Sequence, residues 1–220
     1  IDKFDEDAMT LKEEIYHKMY EDIVSGNYAP NDIITEASLI AKYKVSKSPI
    51  REALIELCKD GVLQSLPRLG YQVVPVSLKE VLDVIDFRID VELAGLKRSF
   101  GNLDEGNLRE LEKIAHIPEK ELENPKWDRN LNFHTSLYEL SDNQYGLLEL
   151  QKVMRENERF LSQHFQSAWT SASMHTMGFH DEIIDALRKG NLEKALGFLE
   201  ADIRAIKDEI LKRYSFFGGS

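Results

Sequence analysis

One cysteine, Cys58, is all that the 220 residues contain, and it sits in no CxxC pair. That excludes an intrachain disulfide framework and a cysteine-based zinc module, and it leaves Cys58 as a small core residue rather than a nucleophile. No apolar run approaches the roughly 18 residues that a membrane-spanning helix needs. The stretch IDKFDEDAM is acidic and lacks the basic-then-apolar order of a targeting segment, so the expected location is the cytoplasm, away from any membrane. Basic residues are in deficit as well: 28 Lys and Arg face 39 Asp and Glu, for a formal net charge of -11. Such a chain does not coat nucleic acid indiscriminately, because phosphate contacts require cations close by; any DNA contact must be local. What is abundant is apolar side chain, 42% of residues, enough for a real core at this length. Together with 30% charged residues and long helical periodicities, this describes a globular, mainly helical protein.

Against the acidic background, KYKVSKSPIREAL packs four cations and no acid between Lys42 and Arg51. The flanking pattern gives that run a setting. Residues 10 to 25 place Leu11, Ile15, Met19 or Tyr20, and Ile23 at helical spacing, and the helix ends at Gly26. TEASLIAKYKV forms a short helix opened by Thr35 or Glu36. After a turn of about four residues a second helix begins, with Ser46 or Ser48 as N-cap and Pro49 in the first turn, where its missing N–H is harmless. Ile50, Leu54 and Leu57 form its buried stripe, and Gly61 ends it. VLQSLPRLGYQVVPV then reads as two β-segments around a Pro-Arg-Leu-Gly turn. This is the order of a winged helix-turn-helix, whose second helix enters the DNA major groove. Lys47 and Arg51 lie four apart on one face of that helix. Arg51 suits a guanine edge, while Lys42, Lys44, Ser46 and Ser48 suit phosphate or base contacts. The plainer reading of the run is a solvated cationic helix end.

From about residue 78 onward the pattern is helical throughout, with segments near 78–100, 104–116, 126–141, 144–167, 173–189 and 191–214. The expected organisation is a winged helix-turn-helix over 8–76 and an all-α bundle over 78–214, giving a mainly α protein. Several polar residues fall at helix-interior spacing. Arg88 and Glu92, four apart, read by default as a solvent-exposed ion pair. Asn130 and His134 are also four apart, flanked by Trp127, Leu131, Leu137 and Tyr138, so their face points inward. His180 precedes Ile183, Ile184 and Leu187, and Asp202 lies among Leu199, Ile203 and Ile206. One such His is usually a satisfied core residue; two, with an Asn and an Asp on three helices, make a candidate bundle-core site for zinc, nickel or manganese. The plain alternative is a bundle that only dimerises.

The stretch YEDIVSGNYAPNDIITEASLIAKYKVSKSPIREALIELCKDGVLQSLPRLGYQV resembles the winged-helix domain of the GntR family of bacterial transcription regulators. Ser46, Pro49, Arg51, Glu52, Ala53, Leu54, Gly61 and Gly70 fall in register with that family's pattern. The resemblance implies DNA contacts from Ser46, Lys47, Ser48 and Arg51, and from the wing near Arg68 and Gly70. Three positions depart from it: Lys47 stands where the family has Arg, Asn31 where it has Gly, and Ala37 where some members use a DNA-contacting Arg. Lysine lacks arginine's planar fork, which makes Arg51 the stronger base reader.

FRIDVE, NFHTSLYELSDN and HDEIIDALRKGNLEKA extend the likeness to the all-helical ligand-binding domain of the family's FadR subgroup. Many members bind a metal there through an Asp four residues before a His and through two further His. Carried over position by position, the implied set is Asn130, His134, His180 and Asp202, with the carboxylate moved from the first position to the last. The resemblance further implies a small carboxylate effector, for which Arg88 is the anion contact, a homodimer, and a two-fold DNA operator. His164 and His175 match no role and read as surface or supporting residues. No nucleophile or general-base motif is visible, which sets a metal-dependent hydrolase below a regulator; an effector-free dimerising DNA-binding protein is the other alternative.

Overall fold

A computed structural model describes residues 9–122, 125–169 and 178–217. The chain divides into two compact units, one running to Val76 and including Ser162–Gln166, the other formed by Ser77–Leu161 and the residues from Ser167 on.

In the first unit, α1 (Leu11–Val24) starts at a capping box in which Thr10 and Glu13 exchange side-chain and backbone hydrogen bonds. It buries Ile15, Met19, Tyr20 and Ile23. A two-residue strand β1 (Ile33–Ile34) precedes α2 (Glu36–Tyr43), which is boxed by Thr35 and Ser38 and ends in a left-handed Lys44, φ 56°. Then α3 (Lys47–Lys59) begins after Ser46, whose side chain makes no cap bond. Its stripe of Ile50, Ala53, Leu54 and Leu57 packs against α1 and α2 around a common apolar core. Strands β2 (Leu63–Leu66) and β3 (Gly70–Val73) form the wing, and β1 adds to β3, so the antiparallel sheet has three strands in the order β1-β3-β2. The sequence pattern indicated only the β2–β3 hairpin. A two-residue strand carries no alternation to detect, and it exists because Ile33 and Ile34 pair with Gln72 and Tyr71.

Gly70 is required where β1 meets the wing. Its φ is +135°, and a Cβ there would stand 2.4 Å from the Ile34 carbonyl oxygen. Asn31, where the family pattern has Gly, adopts φ 72°, a conformation that Asn tolerates better than other non-glycine residues.

The second unit has six α-helices among the described residues: α4 (Leu78–Ser99), α5 (Glu105–Ala115), α6 (Pro125–Glu139), α7 (Gln144–Trp169, apart from its Ser162–Gln166 stretch, which belongs to the first unit), α8 (His180–Arg188) and α9 (Leu192–Phe217). Helix α9 packs against α4 and α8, while α6 packs against α4 and α5. Its buried residues Ala195, Leu199, Ile203, Ile206 and Ile210 recur at three- and four-residue intervals, the signature of one apolar face. Polar residues interrupt that shared interior: Arg88 and Glu92 from α4, Asn130 and His134 from α6, His180 from α8, and Asp202 from α9 are all buried. No helix among the described residues is long and apolar enough to cross a membrane.

Candidate functional site

The first candidate is the exposed N-terminal end of α3. Ser46, Lys47, Ser48 and Arg51 are all exposed along it, and Lys44, at the end of α2, is exposed beside them. Arg68 is exposed at the tip of the wing with φ 69°, while Gly70 is half-buried and set by the backbone requirement given above. Lys42 is engaged elsewhere: its ammonium lies 2.6 Å from Asp22 and over the Tyr28 ring. The run that lacks acids in sequence does not lack them in space. Glu36 meets both Lys47 and Arg51, and the Ser48 hydroxyl donates to Glu52 at 2.8 Å.

The second candidate is the polar interior of the bundle. Arg88 and Glu92 are 0% and 3% exposed, so the solvent-exposed ion pair expected from their spacing is instead a buried one. The reason is their register. Val81, Ile85, Arg88, Glu92 and Leu96 follow one another at three- and four-residue steps, which places both charges on the stripe that α4 turns inward. Arg88 donates from Nε to Glu92 Oε1 at 2.9 Å. The other oxygen of Glu92 lies 2.5 Å from Nδ1 of His134, whose Nε2 lies 3.0 Å from Asp202 Oδ2. His180 Nε2 is 3.8 Å from that same oxygen, and the second oxygen of Asp202 accepts the Phe179 N–H at 3.3 Å. The His180 ring stacks on Phe133 at 3.8 Å.

These contacts set the protonation states. Burial alone would push His134 down, but the Glu92 charge, the Asp202 hydrogen bond and the Glu92 hydrogen bond outweigh it and raise its pKa to about 9. Burial would push the Glu92 carboxyl up; the charges of His134 and Arg88 reverse this and hold it below its ordinary value. His180 is shifted the other way, first by burial and then by the His134 charge, down to about 3. At neutral pH, His134 is thus a cation, Glu92 an anion and His180 neutral.

His134, His180 and Asp202 offer ligand atoms that all lie within 4.8 Å of one another. The donor set fits a divalent cation on two counts. Among the described residues, His180 Nε2 and both amide atoms of Asn130 are buried without a hydrogen-bond partner. Glu92 grips His134 through Nδ1, the arrangement that leaves Nε2 to a metal and fixes the ring. Asn130 lies one turn before His134 on α6 and shares its inward face. Both Nη nitrogens of Arg88 are also buried and unpartnered among the described residues, so its fork is open to an anion. Glu92 is the member whose role in this cluster the sequence reading missed, although the register of α4 signals its burial. His164 is exposed, with its ring 3.0 Å from the Val76 carbonyl, and His175 lies outside the described residues.

Comparison with known proteins bears on both candidates. The family model "Bacterial regulatory proteins, gntR family" matches residues 11–73, and the FCD domain model matches residues 83–205. Among curated relatives, the HTH-type transcriptional regulator YdhC of Bacillus subtilis is 32% identical over 62% of this chain and 64% of its own length. The HTH-type transcriptional repressors RspR and GlaR of Escherichia coli are 28% and 30% identical, over 69% and 70% of this chain and 69% and 71% of theirs. The chain thus spans just under two thirds of the length of the first of these relatives. Among solved structures, McbR/YncC of E. coli has a TM-score of 0.79 at 16% identity, covering 94% of this chain and all of its own. A GntR regulator from Rhodococcus has a TM-score of 0.70 at 22% identity, covering 92% of this chain and 98% of its own. These two show the likeness of fold.

Proposed function

The chain belongs to the GntR family of bacterial transcription regulators and carries an FCD domain, and we propose that it binds a two-fold symmetric operator as a homodimer whose affinity is set by a small carboxylate held in the helical unit. The matched domains and relatives are regulators rather than enzymes, which removes the hydrolase alternative. Two relatives are named repressors, which favours repression as the sense of control here.

In this reading Ser46, Lys47, Ser48 and Arg51 meet bases and phosphates in the major groove, and Lys44 and Arg68 hold the flanking backbone. The observation that carries the effector site is the buried chain from Arg88 through Glu92 and His134 to Asp202, with His180 beside it. His134, His180, Asp202 and the amide of Asn130 would hold zinc, nickel or manganese, and the bound ion would supply a positive centre for an anionic ligand. Charge balance explains why the ligand is an anion. A divalent ion brings two positive charges and the loss of the His134 Nε2 proton on ligation removes one, so the site gains one positive charge, which one carboxylate offsets. Arg88 presents its open fork to that carboxylate.

Elemental analysis of the purified protein, then a thermal-shift screen of small organic acids with and without chelator, tests the site. The expected result is near-stoichiometric metal in the intact protein and none in His134→Ala, with acid-dependent stabilisation in the loaded protein only. Metal retained at wild-type level in His134→Ala would remove this ligand set. Anisotropy binding to the DNA flanking the protein's own gene tests the operator; equally weak binding to every sequence would sink it.

A further inference from the structure

Glu36 opens α2, directly after the Thr35 cap, and so projects from a backbone position held by the capping box. Its two carboxylate oxygens are divided between the cations of the next helix. Oε1 accepts from Arg51 Nε at 2.8 Å, and Oε2 lies 3.1 Å from Lys47 Nζ. The Glu36 side chain is 23% exposed, against 56% for Lys47 and 55% for Arg51, so the acid sits beneath the cations it holds. The hydrogen bond from Arg51 keeps its carboxyl below the ordinary carboxylate range.

Two consequences follow for the face that α3 presents. First, Glu36 takes the Nε of Arg51 and leaves the Nη1/Nη2 edge, the edge that matches O6 and N7 of guanine. A guanidinium tethered through Nε has fewer orientations to lose when it docks on a base. Second, Glu36, Lys47 and Arg51 together carry one net positive charge instead of two. Attraction to phosphates of arbitrary sequence is correspondingly weaker, because fewer counterions are released from DNA.

We propose that Glu36 is a specificity-determining positioning residue: it orients Arg51 for base reading and, by neutralising part of the cationic face, lowers affinity for DNA of random sequence. This rests on α3 being the recognition helix, as proposed above. It also explains why a sequence so free of acids from Ala37 to Arg51 is preceded immediately by one. The carboxylate is placed to hold the cations sideways, on α2, and not along the groove-facing surface of α3.

The test compares the intact protein with Glu36→Gln, Glu36→Asp, Arg51→Ala and Lys47→Ala by fluorescence anisotropy across a salt series. The probes are an unselected pool of random-sequence duplexes and the duplexes that wild-type protein recovers from that pool. In Glu36→Gln one unit of charge is unmasked, so the log–log salt slope on the unselected pool should steepen by about 0.9, which is about eightfold tighter binding at 0.1 M salt. The ratio of selected to unselected affinity should fall about tenfold, as expected when a bidentate base contact loses its orientation. Glu36→Asp keeps the charge but is one methylene shorter, so it should keep the wild-type slope and lose part of the ratio. Circular dichroism melting identifies any loss of fold. An unchanged slope and ratio in Glu36→Gln, with Arg51→Ala and Lys47→Ala still weakening binding, overturns the role of Glu36 and leaves the recognition helix standing. Wild-type binding by Arg51→Ala overturns the recognition helix as well.

Discussion

At the scale of single residues, His134 decides the character of the bundle interior, because both its ring nitrogens face carboxylate oxygens while the side chain is buried. A cation in that position is stabilised only while its proton is bound. The pKa of His134 is raised to about 9 in the folded chain, against about 6.5 for an unperturbed histidine. Its contribution is therefore complete below about pH 6.5 and is lost as pH rises towards 9, on the order of 3 kcal/mol in all. His180 acts with the opposite sign. Held neutral down to about pH 3, it refuses a proton that the unfolded chain accepts below about pH 6.5, so the folded state is weakened as pH falls. The metal-free protein should accordingly melt highest near pH 6.5, and thermal melts from pH 4 to 10 check this. In His134→Gln the alkaline decline should flatten while the acid-side decline persists.

Among the elements, two helix starts that look alike in sequence do different work. Thr35 caps α2 by accepting the Ser38 N–H on its side-chain oxygen, whereas the Ser46 side chain, before α3, makes no cap bond. Thr35→Ala should therefore destabilise the first unit by about 1 kcal/mol. Ser46→Ala should change the melting temperature little yet weaken operator binding, since the Ser46 hydroxyl is not committed to the cap and serves the DNA contact proposed for it; melts paired with anisotropy separate the two effects. The wing depends on Gly70. Any side chain there meets the Ile34 carbonyl and is strained at φ +135°, so Gly70→Ala should cost about 2 kcal/mol or more, seen as a lowered denaturation midpoint, and should detach β1 from β3.

On the scale of the whole molecule, the net charge of -11 is unevenly spread. Residues 9–76 carry eight Lys and Arg against nine Asp and Glu, close to balance, and the remainder holds nearly all the acidic excess. That distribution suits a protein whose contact with a polyanion is confined to one helix end and a wing, and whose other surfaces repel it. The metal binding proposed for the bundle belongs to this scale too, because a ligand that binds only the folded state stabilises the whole. Removing a divalent ion present at about a hundred times its dissociation constant should lower stability by about 2.7 kcal/mol. For a chain of this size that is roughly 5–10 °C in melting temperature, measured before and after chelation.

The helices and their inward faces were legible in the sequence, because an amphipathic helix is written in residues three and four apart: Ile50, Leu54 and Leu57 in α3, or Leu199, Ile203 and Ile206 in α9. The mainly α fold class follows from that local periodicity. Pairings between distant residues were not legible. Glu92 reaches His134 across 42 positions and His134 reaches Asp202 across 68, and the capture of Arg51 by Glu36 spans 15. Whether the Arg88–Glu92 pair faced solvent or a closed interior depended on which neighbours packed over α4. The same holds for Ile33 and Ile34, a strand only because β3 stands beside them. Local spacing chooses the element and its buried face, since both depend on near neighbours in the chain. Which side chain lies against that face, and hence what charge, proton or ligand the site can hold, is a matter of packing between elements, and only the tertiary structure decided it.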